Sequence, residues 1–323
     1  MNIDIKNYPY KILQITDLHL GFGIFSKKED EKVKHGIAKT IAQSKPDLII
    51  VTGDFVFPFI PSSGTRNNIK QTQKFADFMD GFRIAYTIVF GNHDVEVGSK
   101  GSKQDLARII QNSKYGFFEE GPDITGLGNF VIELKSNSKT LVSLGLLDSN
   151  MYANGWFYGG FDYIKDDQVD WISSELNQIH QKNSDMKAIL FFHMPLVEFK
   201  EAYEMMKLGD KSIEYNFGSI HEKNEYFGIS ATRSNLFNKC EQLGFVKAMF
   251  CGHDHLNTLS LTYKGILMCY GMSMDYNAYR DIEKYHIQRG GNLIEIDKNG
   301  DFEVKMIPLD RVVDDFVRGV KNK

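Results

Sequence analysis

The stretch Cys251-Gly252-His253-Asp254-His255 follows a strand-like apolar run, Phe245-Val246-Lys247-Ala248-Met249-Phe250, and precedes another extended segment. Two imidazoles two residues apart at a strand end can face one cavity, because residues i and i+2 of an extended chain share a face. Taken alone, such a pair is as readily an ordinary loop feature. Its company changes the reading. Upstream, Asp17-Leu18-His19, Gly53-Asp54, Gly91-Asn92-His93-Asp94 and His193-Met194-Pro195 each sit just after a short apolar run. Five of the nine histidines (His19, His93, His193, His253, His255) therefore fall in loops that leave candidate strands.

Working outward, the patterning predicts strands over 10–15, 47–51 and 84–90, separated by helices over 29–44 and 67–80. Val33, Ile37, Ala38 and Ile41 recur at helical intervals in the first helix, and Pro46 stops it. Segment 57–68, with its prolines and Gly64, reads as a surface loop. This alternation argues for α/β architecture with sites at the carboxyl ends of the strands, where loops freed from the ladder can aim side chains at one crevice. Further on, 130–134 and 141–147 read as neighbouring strands leading to Asp148-Ser149-Asn150, 166–181 as a helix, and 187–192 as the strand before His193. Ser234 and Gly244 bracket a helix as N-cap and C-terminal stop. Strands are expected near 258–262, 266–270, 292–296 and 302–306. Segment 198–232 is rich in Tyr, Phe, Glu, Lys and Gly without clear periodicity, as expected of a cap or substrate loop. With no linker or repeat, 1–323 reads as a single domain ending in a short amphipathic tail over 310–323.

The composition is ordinary for a globular chain: 42% hydrophobic and 25% charged over 323 residues. A net charge of −4 and the absence of a basic tract disfavour nucleic-acid binding through a broad electropositive surface. Cys240, Cys251 and Cys269 include no C-x-x-C pair and read as small buried hydrophobes, which suits a reducing compartment. The polar first ten residues lack signal-peptide features. No apolar run approaches the roughly 20 residues that cross a bilayer. The expectation is a soluble, cytoplasmic protein with no membrane partner; oligomeric state is not legible.

Asp17, His19, Asp54, Asn92, His193, His253 and His255 supply only oxygen and nitrogen donors, which suit first-row divalent metals. Seven donors are too many for one four-coordinate ion. With one carboxylate shared they make four contacts to each of two cations.

Read together, D-x-H at 17–19, G-D at 53–54, G-N-H-D at 91–94, His193 and G-H-x-H at 252–255 resemble the calcineurin-like metallophosphoesterase family, in the family's order. Leu147-Asp148-Ser149, Tyr163-Ile164-Lys165-x-x-Gln168-Val169-x-Trp171 and the run Gln288-Arg289-Gly290-Gly291-Asn292-Leu293-Ile294-Glu295-Ile296 are similar to the bacterial and fungal branch related to purple acid phosphatases. The resemblance implies a four-layer αββα sandwich: two mixed β-sheets packed face to face with helices outside. It implies two divalent ions (Mn, Fe or Zn), one on Asp17, His19, Asp54 and His255, the other on Asp54, Asn92, His193 and His253. It further implies hydrolysis of a small phosphate mono- or diester by metal-bound hydroxide. His93 would bind a phosphoryl oxygen or protonate the departing alkoxide, with Asp94 orienting its ring. A nuclease on the same fold and a non-catalytic metal-binding scaffold are the alternatives.

One departure from the purple acid phosphatase pattern is informative. Phe57 stands where those enzymes carry the tyrosine whose phenolate binds ferric iron, and His19 stands where their first motif lacks histidine. A colourless protein without obligatory Fe(III) is expected.

The other histidines carry less. His35, His180 and His221 read as surface residues, and His286 as a possible neighbour of the pocket. Asp148 reads equally as a support for the site or a turn carboxylate. The aromatic stretch 203–227 reads as a lid or as packing, and Tyr276 and Tyr279 as candidates for the cleft mouth.

Overall fold

A computed structural model describes residues 1–153, 160–279, 282 and 289–309. In chain order its strands are β1 (Asn2–Asp4), β2 (Tyr10–Ile15), β3 (Leu48–Thr52), β4 (Ala85–Val89), β5 (Phe130–Ser136), β6 (Lys139–Leu146), β7 (Lys187–Phe191), β8 (Ile213–Phe217), β9 (Val246–Cys251), β10 (Ser260–Tyr263), β11 (Ile266–Tyr270), β12 (Gly290–Ile296) and β13 (Phe302–Pro308). The helices are α1 (Lys27–Ser44), α2 (Ile60–Ser63), α3 (Asn68–Asp80), α4 (Lys103–Asn112), α5 (Asp166–Lys182), α6 (Val197–Lys207) and α7 (Leu236–Leu243).

They build two mixed sheets. One runs β13-β12-β2-β3-β4, with β2, β3 and β4 parallel and β12 antiparallel to β2. The other runs β1-β5-β6-β7-β9-β11-β10-β8, with β6, β7, β9 and β11 parallel to one another. The central strands are buried on both faces, which is why they read as unbroken apolar runs. In β7, Ile189 and Phe191 enter a core shared with the other sheet, while Ala188 and Leu190 pack beneath the outer helices. Helix α1 lies against β2, β12 and β13, and α5, α6 and α7 lie against β6, β10 and β9. The two mixed sheets with outer helices expected from the resemblance are present.

Polar groups also tie the sheets together. Buried Gln14 on β2 donates to Thr52 Oγ1 (3.0 Å) and to the carbonyl of Cys251 at the end of β9 (2.9 Å). Asn292 on β12 donates to Gln14 Oε1 (3.0 Å) and to the Tyr270 carbonyl (2.9 Å). A buried network of this kind favours one relative placement of the layers, since a slip would strand more of its polar groups away from water. It lies directly beneath the loops that carry the candidate ligands.

Several boundaries differ from the sequence reading. Segment 198–232 is not aperiodic throughout: it holds most of α6 and all of β8, an edge strand paired with β10. Helix α7 starts after Asn235 rather than Ser234, whose hydroxyl donates to the Ile164 carbonyl (2.7 Å). Helix α4 was not anticipated, although Ser102 and Asp105 form a capping box at its start. Strand β1 is only three residues long, Asn2-Ile3-Asp4, and exists through its pairing with β5. His286, Gln288 and the tail 310–323 lie outside the described residues.

Candidate metal centre

The candidate ligands leave the carboxyl ends of β2, β3, β4, β7 and β9, so both sheets contribute to one crevice. Asp17, His19, Asp54 and His253 all have positive φ (50°, 45°, 52° and 78°). A non-glycine residue there costs of order 1–3 kcal/mol and persists only where its surroundings over-determine it. Backbone bonds do so here: Asp17 N–H donates to the Gly53 carbonyl (3.1 Å) and His19 N–H to the Asp54 carbonyl (2.8 Å). The turns bend each side chain back over its strand end. Two glycines make room for this. A Cβ on Gly53 would lie 2.4 Å from His193 Nδ1, and one on Gly91 would lie 2.1 Å from Asp54 Oδ1.

The donors converge in two groups that share Asp54: Asp17, His19, Asp54 and His255, and Asp54, His193 and His253. In the first, His19 Nε2 lies 3.1 Å from His255 Nε2 and 3.5 Å from Asp54 Oδ2, and His255 Nε2 lies 3.6 Å from Asp17 Oδ1. In the second, His193 Nε2 lies 3.2 Å from Asp54 Oδ2, 3.2 Å from Asn92 Oδ1 and 3.3 Å from His253 Nδ1. Asn92 thus joins the second group, and its amide nitrogen donates to Tyr152 Oη (3.0 Å), which turns Oδ1 inward.

The far nitrogens of two imidazoles are already committed. His255 Nδ1 faces Asp275 Oδ2 (3.0 Å), and His193 Nδ1 faces the Thr52 carbonyl (2.8 Å). Placing the proton on Nδ1 leaves the Nε2 lone pair of each ring aimed into its cluster, a common arrangement behind metal-binding histidines. Asp54 Oδ2 and His19 Nδ1 are buried without a hydrogen-bond partner. Facing lone pairs, a partnerless carboxylate oxygen and an all-N,O donor set fit cations at both groups.

The electrostatics point the same way. Burial would raise the Asp54 carboxyl, but His193, His93 and His19 hold it well below the usual carboxylate range. Burial disfavours the His193 cation, yet Asp54 pushes that ring up to about 10. Burial takes His19 down to about 3, against the pull of Asp54 and Asp275. The cavity thus draws positive charge to Asp54, and a cation and a proton compete for it.

Seven residues expected as ligands are brought together, with His93 beside them, but Asp94 does not do what was expected of it. Its carboxylate accepts from the backbone N–H groups of Gly91 (2.8 Å), Val56 (3.1 Å) and Asp54 (3.2 Å), and its hydrogen bonds go to these amides rather than to the His93 ring. Burial and the Asp54 charge push it up to about 8, against the Gly91 and Val56 amides. Asp94 braces the β3 and β4 loops because the turn after Gly91 directs it back beneath Asp54. Glu96 takes the place against His93 Nδ1 instead.

Other supporting residues carried no spacing signal. Asp275 is one, and Tyr152 another. Asp254, between the two histidines of 252–255, accepts from Gly228 N–H (3.0 Å) and Tyr270 Oη (2.8 Å), tying segment 198–232 to the site. Asp148 is bound by Lys103 Nζ at 2.9 and 2.7 Å, and Gln168 donates to its carbonyl (2.7 Å). It supports the Leu147–Asn150 turn rather than facing the donors. The Tyr279 ring lies tilted beside His255, with ring centroids 4.7 Å apart. His35 and His221 are exposed, whereas His180 stacks on Phe245 at 4.0 Å.

A fold of two mixed sheets with these motif loops at one end defines a class, and comparison with known proteins agrees. The chain belongs to the calcineurin-like phosphoesterase family, whose model matches residues 10–257. It is 26% identical to an Arabidopsis thaliana protein named probable inactive purple acid phosphatase 29, over 91% of this chain and 78% of that protein. It is 30% identical to phosphatase DCR2 of Saccharomyces cerevisiae over 81% of this chain and 47% of the yeast protein, so it spans about half that protein's length. Among solved structures it is similar to a dimetal phosphatase from Danio rerio, with a TM-score of 0.60, 11% identity, and coverage of 93% of this chain and 96% of that one. At that identity the likeness is one of fold. No helix among the described residues is long and apolar enough to cross a membrane.

Proposed function

We propose that the chain is a metal-dependent phosphoesterase that hydrolyses a small phosphate mono- or diester at a dinuclear centre. The observation that carries this reading is the Asp54 carboxylate, shared by two donor groups whose imidazole nitrogens face one another at 3.1 and 3.3 Å. Asp17, His19, Asp54 and His255 would hold one divalent cation, and Asp54, Asn92, His193 and His253 the other, with Mn, Fe or Zn suited to the donors. When bound, such cations supply Lewis acidity and ready activation of water near neutral pH.

The chain's own residues do the rest. Asp17 and Asp54 bring two negative charges, so two dications leave a net positive site for an anionic phosphoryl group. Phe57 sets its ring edge against His19 (4.9 Å) and His93 (5.3 Å), walling that side of the site from water. The His93 ring stands at the rim, its side chain 28% exposed, placed to donate from Nε2 to a phosphoryl or leaving oxygen. Phe57 offers no phenolate, consistent with a colourless protein.

The names of some relatives favour a second reading, a metal-binding scaffold without turnover. Retention of every candidate ligand and of His93 supports the hydrolase. Metal analysis of purified protein, together with assays on p-nitrophenyl phosphate, bis-p-nitrophenyl phosphate and duplex DNA in Mn, Fe, Zn, Co or Ni, tests both. The expected result is about two cations per chain, no visible charge-transfer band, and hydrolysis of one small ester. Cations bound without turnover on any substrate would favour the scaffold, and cleavage of DNA alone would favour a nuclease.

A further inference from the structure

We propose that Glu96 is the positioning residue that orients the His93 imidazole, the part that Asp94 cannot play. This rests on the phosphoesterase reading given above. The two carboxylates differ in what each already holds. Asp94 is fully buried, and its two oxygens serve three backbone amides, so turning it toward His93 would leave those amides unpaired. Glu96 is bound differently. Its side chain is 8% exposed, and Oε1 contacts His93 Nδ1 in both the hydrogen-bond and the ion-pair geometry.

The backbone explains why Glu96 can reach. His93 N–H donates to Asp54 Oδ1 (2.8 Å), which fixes the start of the turn, and Ser99 N–H donates to the Glu96 carbonyl (2.9 Å), which fixes its end. Residues three apart across a tight turn can then meet. Asn68 holds the same turn from outside, its amide nitrogen donating to the Asp94 carbonyl (3.1 Å) and to the Gly101 carbonyl (2.9 Å). Three supports therefore set where the Glu96 carboxylate sits. The Phe57 ring, 5.3 Å away at 86°, limits rotation of the imidazole from its other side.

With Nδ1–H committed to Glu96, Nε2 on the opposite edge of this partly exposed ring is the nitrogen left to meet a substrate. In the reaction, a water oxygen forms the new bond to phosphorus while the bond to the ester oxygen breaks. The electron pair of that bond stays on the departing oxygen, which takes the proton from His93 Nε2 and leaves as an alcohol. The attacking water's own proton passes to bulk solvent, and the neutral ring takes up a proton from solvent at Nε2 before the next turnover. Glu96 keeps its hydrogen bond to Nδ1 throughout and touches neither reactant.

The test uses the full chain, the Glu96→Ala and Glu96→Gln variants, and two esters that differ in how much their leaving oxygen needs a proton. These are p-nitrophenyl phosphate and phenyl phosphate, or bis-p-nitrophenyl and diphenyl phosphate if the enzyme takes diesters. Glu96→Ala is expected to lower kcat on the phenyl ester by about 10², the low end of what general acid help contributes. The loss on the p-nitrophenyl ester should be smaller, with KM and bound metal unchanged. Glu96→Gln, which keeps an acceptor for Nδ1–H, should recover part of the loss. Adding Glu96→Ala to His93→Ala should cost nothing more, because the two act through one ring.

Equal losses on both esters, or a further loss in the His93→Ala background, would overturn the assignment. Proton NMR of zinc-loaded protein with labelled histidine reads the contact without turnover. The Nδ1–H resonance of His93, identified by its disappearance in His93→Ala, should shift in Glu96→Ala. If it does not move, Glu96 does not hold the ring. If it moves while wild type hydrolyses neither ester, the contact stands and the phosphoesterase reading is what fails.

Discussion

Asp54→Asn protein should retain less than one cation per chain and lose turnover by about 10³-fold or more, as read by metal analysis and initial rates. The size follows from the several kcal/mol of transition-state charge stabilisation that bound metals contribute, at 1.36 kcal/mol per factor of ten. Asp54 is singled out because its carboxylate stands in both donor groups, so one substitution weakens both at once. Asparagine is the informative replacement. It tolerates the left-handed φ of 52° and can keep the Oδ1 contact with the His93 N–H, so the change removes charge and little else. Loss of cations with an unaltered circular dichroism spectrum would assign the defect to the site. Full retention of two cations would show that Asp54 is not shared between them.

His93→Ala should behave in the opposite way. Bound metal should stay at the wild-type level while kcat falls by about 10²–10⁴, the range typical of a lost general acid. The side chain lies outside both donor groups, with Nδ1 turned to Glu96, so neither cation would lose a ligand. Metal analysis beside kcat and KM on the same preparation separates the two effects. Unchanged turnover would remove His93 from the chemistry, and loss of metal would recast it as a ligand.

Much of the site was legible because its residues mark themselves. Asp17, Asp54, Asn92, His193 and His253 each stand two or three residues beyond the end of a parallel strand, and a buried strand announces itself as an apolar run. Carboxyl ends of neighbouring parallel strands lie on one side of their sheet, and the motifs' resemblance to a known family supplied the grouping across the two sheets. The helices α1, α3 and α5 were likewise readable from apolar residues repeating at helical spacing. Strand β1 and helix α6 were not, because a partner rather than local pattern decides them: β1 pairs with β5, and α6 packs on β8 and β10.

The amino-acid sequence by itself determined which atoms this chain can offer to a metal and in what order its strands deliver them, because donor chemistry and hydrophobic periodicity are properties of residues and their near neighbours. Only the tertiary structure decided which carboxylate serves which neighbour. Asp94 and Glu96 lie two residues apart with the same functional group, and nothing local distinguishes them. The folded loops send one toward three backbone amides and the other toward an imidazole. Asp275, far along the chain, reaches His255 in the same way. Hydrogen bonds are directional and short, so their partners are settled by where the backbone finally passes.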